Sequence, residues 1–442
     1  MIVVQGTRPL SGTVKIQGSK NAVLPMMAAA LLHEGTTVFT NVPRIQDVFC
    51  MMGILRFIGC VCRLDGHVLS VDASRILRAE IPEEYMKAMR SSIMMLGALL
   101  ARQGEALTRY PGGCLIGSRP IDLHIKALKT LGAEITEEAG NIYARTERLR
   151  GAEIHFPYPS VGATENALLA SVLADGTTRI TGAAKEPEIQ ELCLLLNQMG
   201  GRIFGIGTDR LTVEGVKRLS GAVRKVPGDR IVAGTYLAAV LACGGDARLE
   251  GVNPDHMEAV VSAFESCGGR IETGIDDLEI SASGRPEAFE IITGPYPDFP
   301  TDLQSPAMTV MATARGESRI VENVFENRYR TAAELEKMGA NIRICGKEAF
   351  IRGVGPTPGL LGAHVTAWDL RGGAALVTAG LAARGTTAID GCCHIHRGYE
   401  DICLDLAGLG AGIQDGGGEK RMVSGAGLQD QQEGFRKRVD DR

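Results

Sequence analysis

Six stretches of the chain are apolar on nearly every helical face: NAVLPMMAAALL, SSIMMLGALLA, ATENALLASVLA, IVAGTYLAAVLA, SPAMTVMATA and GGAALVTAGLAA. Helices of that kind belong inside a core, so only their ends can meet water. Each runs into a glycine followed by a short polar and β-branched phrase, as in EGTTVFTNV, DGTTRITGA and RGTTAIDGC, which predicts a strand. A second helix then closes on a recurring phrase: RFIGCVC, KTLGAEI, NQMGGRI, ESCGGRI, EKMGANI and AGLGAGI. Glycine just past the last turn is the usual αL-type cap. Strand pairs such as CVCRLDGHVLSVD complete the unit.

The closing glycines, Gly59, Gly132, Gly200, Gly268, Gly339 and Gly410, are spaced by 73, 68, 68, 71 and 71 residues. The strand glycines, Gly35, Gly104, Gly176, Gly245, Gly316 and Gly385, keep the same period at 69, 72, 69, 71 and 69. Two independent phrases in step define six units of about 70 residues. A chain of 442 residues is too long for one ordinary core. The expected organisation is therefore three units per domain: 20–227 in one, 1–19 with 228–414 in the other. The opening residues read as a strand pair that completes the last unit, so the chain crosses between domains twice. The glycine-rich, charged stretch 415–442 reads as a disordered tail.

Composition narrows the function classes. A net charge of −5, with no basic tract carrying interleaved aromatics, argues against nucleic acid. No apolar run reaches the ~20 residues of a membrane span. The opening MIVVQGTRPLSG lacks a basic leader and a long apolar core, so no signal peptide is expected. Eleven cysteines without framework spacing fit a reducing cytoplasm. CCHIH, Cys392 to His396, has no partner motif, and adjacent ligands chelate one tetrahedral ion poorly; neither metal nor cofactor is expected.

Fourteen or fifteen residues before each strand glycine stand Lys20, Arg90, Val161, Arg230, Asp302 and Arg371. Basic residues at a helix N-terminus oppose the helix dipole. Their recurrence points to an anionic ligand in a cleft between two threefold domains. A second feature is RYPGGCLIGSRP, which sets Cys114 among glycines with arginine at both ends; neighbouring cations tune a thiol.

GSKNAVLP, KAMRSSI, PGGCLIGSRPIDLH, PSVGAT, FPTDLQ, VFENR, DLRGGAAL and HRGYE, in that order, resemble the UDP-N-acetylglucosamine 1-carboxyvinyltransferase family of enolpyruvyl transferases. The resemblance implies a two-domain inside-out α/β barrel. It also implies transfer of the enolpyruvyl group of phosphoenolpyruvate to the 3-hydroxyl of UDP-N-acetylglucosamine, in the first committed step of peptidoglycan synthesis. By the same resemblance, Cys114 is the proton donor and the target of a fosfomycin-type inhibitor. Lys20 and Asn21 hold phosphoenolpyruvate, Arg119 and Arg397 grip its phosphate, and Asp302 is the base near the sugar hydroxyl. Arg90 and Val324 face the sugar, while Arg328 and Arg371 complete the anionic pocket. Pro120, Ile121, Asp122, Leu123 and His124, with Ser160, Val161 and Gly162, contact the nucleotide. Val232, Trp368 and His396 depart from the family pattern. A non-catalytic nucleotide-sugar binder and the sister 5-enolpyruvylshikimate-3-phosphate synthase are the alternative readings.

Overall fold

The computed structural model describes residues 1–416 apart from 7, 113–116, 118, 356 and 358. Cys114 and the tail beyond 416 lie outside the described residues. The apolar stretches form the helices Lys20–Ala29, Met95–Gln103, Val161–Ser171, Arg230–Cys243, Gln304–Thr313 and Leu370–Ala382. Short 3₁₀ turns, Arg90–Met94 and Thr301–Leu303, lead into the second and fifth. The second helices are Gln46–Ile58, Asp122–Thr130, Pro187–Gln198, Glu258–Ser266, Arg330–Lys337 and Ile402–Gly408. All six glycines that close them take positive φ, from 89° to 123°, where a side chain would be strained.

Each unit carries its own small sheet, five of four strands and one of three. In the third unit, Thr177–Thr181 pairs antiparallel with Arg210–Glu214 and parallel with the edge strand Glu153–His155. That edge strand comes from the segment leading into the unit's first helix. The arrangement repeats in the fifth and sixth units through Glu290–Ile292 and Thr366's strand, His364–Thr366.

The first and fourth units exchange these edges. Val223–Lys225, which leads into the fourth unit, pairs with Thr36–Thr40 of the first. Leu10–Lys15, which leads into the first unit, pairs with Gly245–Glu250 of the fourth. Only Ile2–Gln5 joins the last unit, between Thr386–Asp390 and Gly412–Asp415. The opening residues are thus no hairpin: their two strands belong to different sheets. The reason is the crossing itself, since a lead-in strand stays with the half it is leaving.

Two hydrophobic cores result. One is built within residues 22–226, the other from residues 2–16 together with 231–413. In each, three first helices pack against one another and the sheets lie outside them. Burying each Leu, Ile or Val on these helices contributes about 1.5–3 kcal/mol. Among the described residues, no helix is long and apolar enough to cross a membrane.

One partly buried polar pair at the second core carries a pH prediction. Tyr236, fully buried, donates to Asp405 Oδ2 at 2.6 Å. Burial raises the Asp405 carboxyl to about 6, with Asp401 and Glu400 adding to the effect. A raised carboxyl contributes stability that is full below the unfolded value and is lost as pH rises through about 6. Asp405→Asn keeps an acceptor for Tyr236. It should match the parent's melting temperature at pH 4 and exceed it at pH 8, by about 1 kcal/mol in stability.

Candidate active site

The two crossings run side by side. Gly18 bridges Gly228, Ser19 N–H donates to the Pro227 carbonyl at 2.7 Å, and Asp229 N–H to that of Gln17 at 2.9 Å. This brings together the N-termini of Lys20–Ala29 and Arg230–Cys243, one from each core. Asp229 serves both: Oδ1 caps Ile231 and Val232, while Oδ2 accepts the Lys20 N–H at 3.0 Å. Ser19 caps its own helix through Ala22 N–H, so Asn21 stands in the first turn and is not the cap.

Lys20 Nζ lies 2.7 Å from Asp47 Oδ2, and Arg397 grips the same carboxylate with Nε at 3.0 Å and Nη2 at 3.2 Å. Burial, with Arg397 and Arg371 nearby, pulls the Lys20 ammonium below its ordinary value against the opposing effect of Asp47. Burial acts to raise the Asp47 carboxyl, but Lys20 and Arg397 outweigh it and hold it low. A cavity of about 370 Å³ opens beside this triad, lined by Gln46, Asp47, Cys50, Tyr85 and Arg397.

The second cluster centres on Asp302, on the turn before Gln304–Thr313. Oδ1 accepts from Arg328 Nη2 at 2.7 Å and Oδ2 from Arg371 Nη2 at 3.3 Å. Asp302 does not cap the helix that follows; no side chain does. Burial works against the charged form, yet the two guanidiniums win and hold the carboxyl well below the usual range. Lys20 also acts on it, so the two clusters face each other. Arg371 stands in the first turn of its helix, its N–H on the Asp369 cap and its side chain held by the Tyr399 hydroxyl. Among the described residues, Gln304 Nε2, Arg328 Nε and Arg371 Nη1 are buried donors without an acceptor, so this cluster holds more donors than the protein's own acceptors satisfy.

The Cys114 loop is flanked by described residues that touch the other core. Gly117 lies against Glu326, and the Arg119 guanidinium sits 5.2 Å over the Phe325 ring, which Arg328 approaches at 5.7 Å. Glu322 fixes this segment, accepting the N–H groups of Val324 and Phe325 on one oxygen and the Thr301 hydroxyl on the other. Val324 itself is exposed. Arg119 and Pro120 are exposed, Ile121, Leu123 and His124 are buried, and Asp122 starts the helix Asp122–Thr130. Pro120, Ile121 and Asp122 line a groove of about 680 Å³ with Tyr110 and Lys126. Ser160 caps the helix whose first turn holds Val161 and Gly162, and Arg90 lies close enough to bear on His124.

Lys20, Arg371, Arg328, Arg397 and Asp302 are therefore together, while Arg230 is diverted. It is buried and binds Glu188 of the other core in a bidentate pair, Nε at 3.0 Å and Nη2 at 3.3 Å. It ties the two cores, its charge answered by a resident carboxylate. Sequence reasoning missed Asp47, Glu188 and Asp229, the carboxylates that answer the basic helix starts. The local signal was that Asp47 and Glu188 each stand as the acidic residue in the first turn of their helices.

A profile of the EPSP synthase (3-phosphoshikimate 1-carboxyvinyltransferase) family matches residues 4–406. UDP-N-acetylglucosamine 1-carboxyvinyltransferase 2 of Caldanaerobacter subterraneus is 47% identical over 411 residues, covering 93% of this chain and 98% of the relative. This chain belongs to the UDP-N-acetylglucosamine 1-carboxyvinyltransferase family. Such an enzyme 1 from Carboxydothermus hydrogenoformans is 43% identical over 95% of this chain and 99% of its own. Among solved structures, the enolpyruvyl transferase NikO from Streptomyces tendae superposes with a TM-score of 0.84 at 26% identity, over 93% of this chain and 98% of its own. An EPSP synthase from Acinetobacter baumannii, 20% identical over 93% of this chain and 98% of its own, shares the fold with a TM-score of 0.74. The inside-out α/β fold expected for enolpyruvyl transferases is thus the fold observed.

The three departures from the family pattern sit beside the site without displacing it. Val232 is fully buried, with its N–H on Asp229. Trp368 donates from Nε1 to Glu334 at 3.0 Å, behind the Asp369 cap. His396 lies 3.6 Å from Asp415, and its carbonyl accepts the Gln46 N–H.

Proposed function

We propose that this enzyme transfers the enolpyruvyl group of phosphoenolpyruvate to the 3-hydroxyl of UDP-N-acetylglucosamine, in the cytoplasm, as the committing step of peptidoglycan synthesis. The observation that carries the reading is the facing pair of clusters, Lys20–Asp47–Arg397 and Arg328–Asp302–Arg371, at the seam between the cores. Phosphoenolpyruvate is a small anion bearing phosphate and carboxylate. Arginine forks match both groups, and Lys20 supplies a point charge.

In the addition step, a proton moves to C3 of phosphoenolpyruvate as the sugar oxygen bonds to C2 and its own proton leaves to a base. Loss of a C3 proton and of inorganic phosphate from the tetrahedral ketal then restores the double bond. Asp302, ionised and partly open to the cleft, is suited to accept the hydroxyl proton. As phosphoenolpyruvate draws Lys20 and Arg371 toward its own charges, their hold on Asp302 weakens and its basicity rises. Cys114 supplies the proton to C3. Gly117 and Arg119, which follow Cys114 in the sequence, contact Glu326 and Phe325 across the seam.

Phosphate release tests the reading directly. Release with phosphoenolpyruvate and UDP-N-acetylglucosamine, and none with shikimate-3-phosphate, is expected. The reverse would assign the sister activity, and saturable binding without release would make the chain a binder. Cys114→Ser should lower turnover by at least about a hundredfold, the contribution of one positioned proton donor, with nucleotide-sugar affinity within twofold of the parent. Fosfomycin should add once to the parent and not to this variant, read as intact mass.

A further inference from the structure

Asn166, fully buried on the helix Val161–Ser171, has all its polar atoms engaged, and their directions are not interchangeable. Its side-chain oxygen accepts the Gly97 N–H at 2.8 Å. A backbone N–H can only donate, so the amide can face only one way. Nδ2 then gives one proton to the Ile93 carbonyl at 3.0 Å and points the other at His124 Nδ1, 2.7 Å away. An amide nitrogen offers no lone pair. His124 Nδ1 must therefore accept, and the proton of the neutral ring resides on Nε2.

The ring is buried, and it lies over the bare Cα of Gly162: a Cβ there would stand 2.9 Å from Cε1 and 3.2 Å from Nε2. The Nε2 edge thus looks toward the first turn of Val161–Ser171, beside Arg90 and Arg119. Burial, with those two guanidiniums, brings the His124 pKa down to about 4. Among the described residues, Arg90 and Arg119 are the charged groups that bear on the ring; no carboxylate does.

We infer that Asn166 is a positioning residue that fixes His124 as an Nε2–H donor for a phosphate oxygen of the nucleotide-sugar diphosphate. Two arginines and a helix N-terminus surround the same spot, so an acceptor-only, anionic group fits it. The ligand's identity rests on the proposed function; the tautomer does not.

The parent enzyme's eight histidines permit a direct reading with ¹⁵N-labelled imidazoles, His124 being located by its loss in His124→Gln. The Nε2–H tautomer, unchanged from pH 6 to pH 8, is expected. An Nδ1–H ring, or one that becomes imidazolium in that range, overturns the inference.

The kinetic test uses Asn166→Asp, after parent turnover has established the substrate. A carboxylate beside Nδ1 draws the proton there. At low pH the ring is then imidazolium and keeps its Nε2–H; at high pH it becomes the Nδ1–H tautomer and Nε2 turns acceptor. The KM for UDP-N-acetylglucosamine should stay near the parent's at pH 6 and rise tenfold or more by pH 8.5, and UDP should weaken as a competitor in parallel. The KM for phosphoenolpyruvate should move less than twofold. A pH-independent rise in both constants overturns the positioning role. If that variant does not fold, the comparison moves to His124: Gln, which retains an N–H donor, should keep affinity within fivefold, and Leu should lose at least thirtyfold. Equal losses overturn the inference.

Discussion

Asp302→Asn is expected to lower kcat by about a thousandfold, the loss of a positioned general base, while phosphoenolpyruvate binds as well as before or better. The two effects separate because Asp302 has two relations in the site. As a proton acceptor it is irreplaceable by an amide. As a counter-ion it competes with the substrate for Arg328 and Arg371, so removing its charge leaves the pocket more positive. The amide oxygen still accepts from one guanidinium, but both arginines are almost fully buried, so stability should fall as well and kcat is compared at a temperature where both proteins are folded. The parent's pH behaviour follows from the same geometry. The arginines hold the carboxyl well below its ordinary value, so its stabilising contribution is complete above the unfolded value and disappears only as pH falls through the lower folded one. An acid limb in kcat/KM above pH 5 therefore belongs to another group. Turnover within tenfold of the parent in Asp302→Asn would remove Asp302 from proton transfer.

What could be read beforehand was whatever the backbone imposes locally. The closing glycines announce themselves because a positive φ ends each second helix, and the six first helices announce themselves because three of them must fill each core. Strand exchange between the first and fourth units was not legible: Leu10–Lys15 and Val223–Lys225 carry no mark of which sheet they will join, and partner choice is settled only when the chain crosses. The charges show the same divide. Five of six helix starts bear a charge, but their answering groups come from other helices, Asp47 for Lys20 and Glu188 for Arg230. A pattern of cations reads as an anion site until those carboxylates are placed. For Arg230 the placement reverses the reading. For Lys20 and Arg397 it adds a resident carboxylate that an incoming anion must share.

That sharing yields a second large effect, at Asp47. Asp47→Ala leaves the Lys20 ammonium and the Arg397 guanidinium side by side with no carboxylate, and Lys20 only 12% exposed. Removing one partner of a buried ion cluster costs about 3 kcal/mol, because the remaining charges stay desolvated. The parent and variant should differ accordingly in thermal melting at pH 7. Burial already lowers the Lys20 ammonium, and Asp47 is the group that opposes it. Without it, Lys20 should lose its proton at lower pH, and phosphoenolpyruvate affinity in the variant should fall away earlier on the alkaline side than in the parent. Inorganic phosphate distinguishes this account from simple loss of packing. An anion that binds between Lys20 and Arg397 replaces the missing charge, so millimolar phosphate should raise the melting temperature of Asp47→Ala more than that of the parent. Equal shifts in the two proteins would mean that Asp47 holds no cation in place for the substrate, and that its contribution is confined to packing between the helix Gln46–Ile58 and its neighbours.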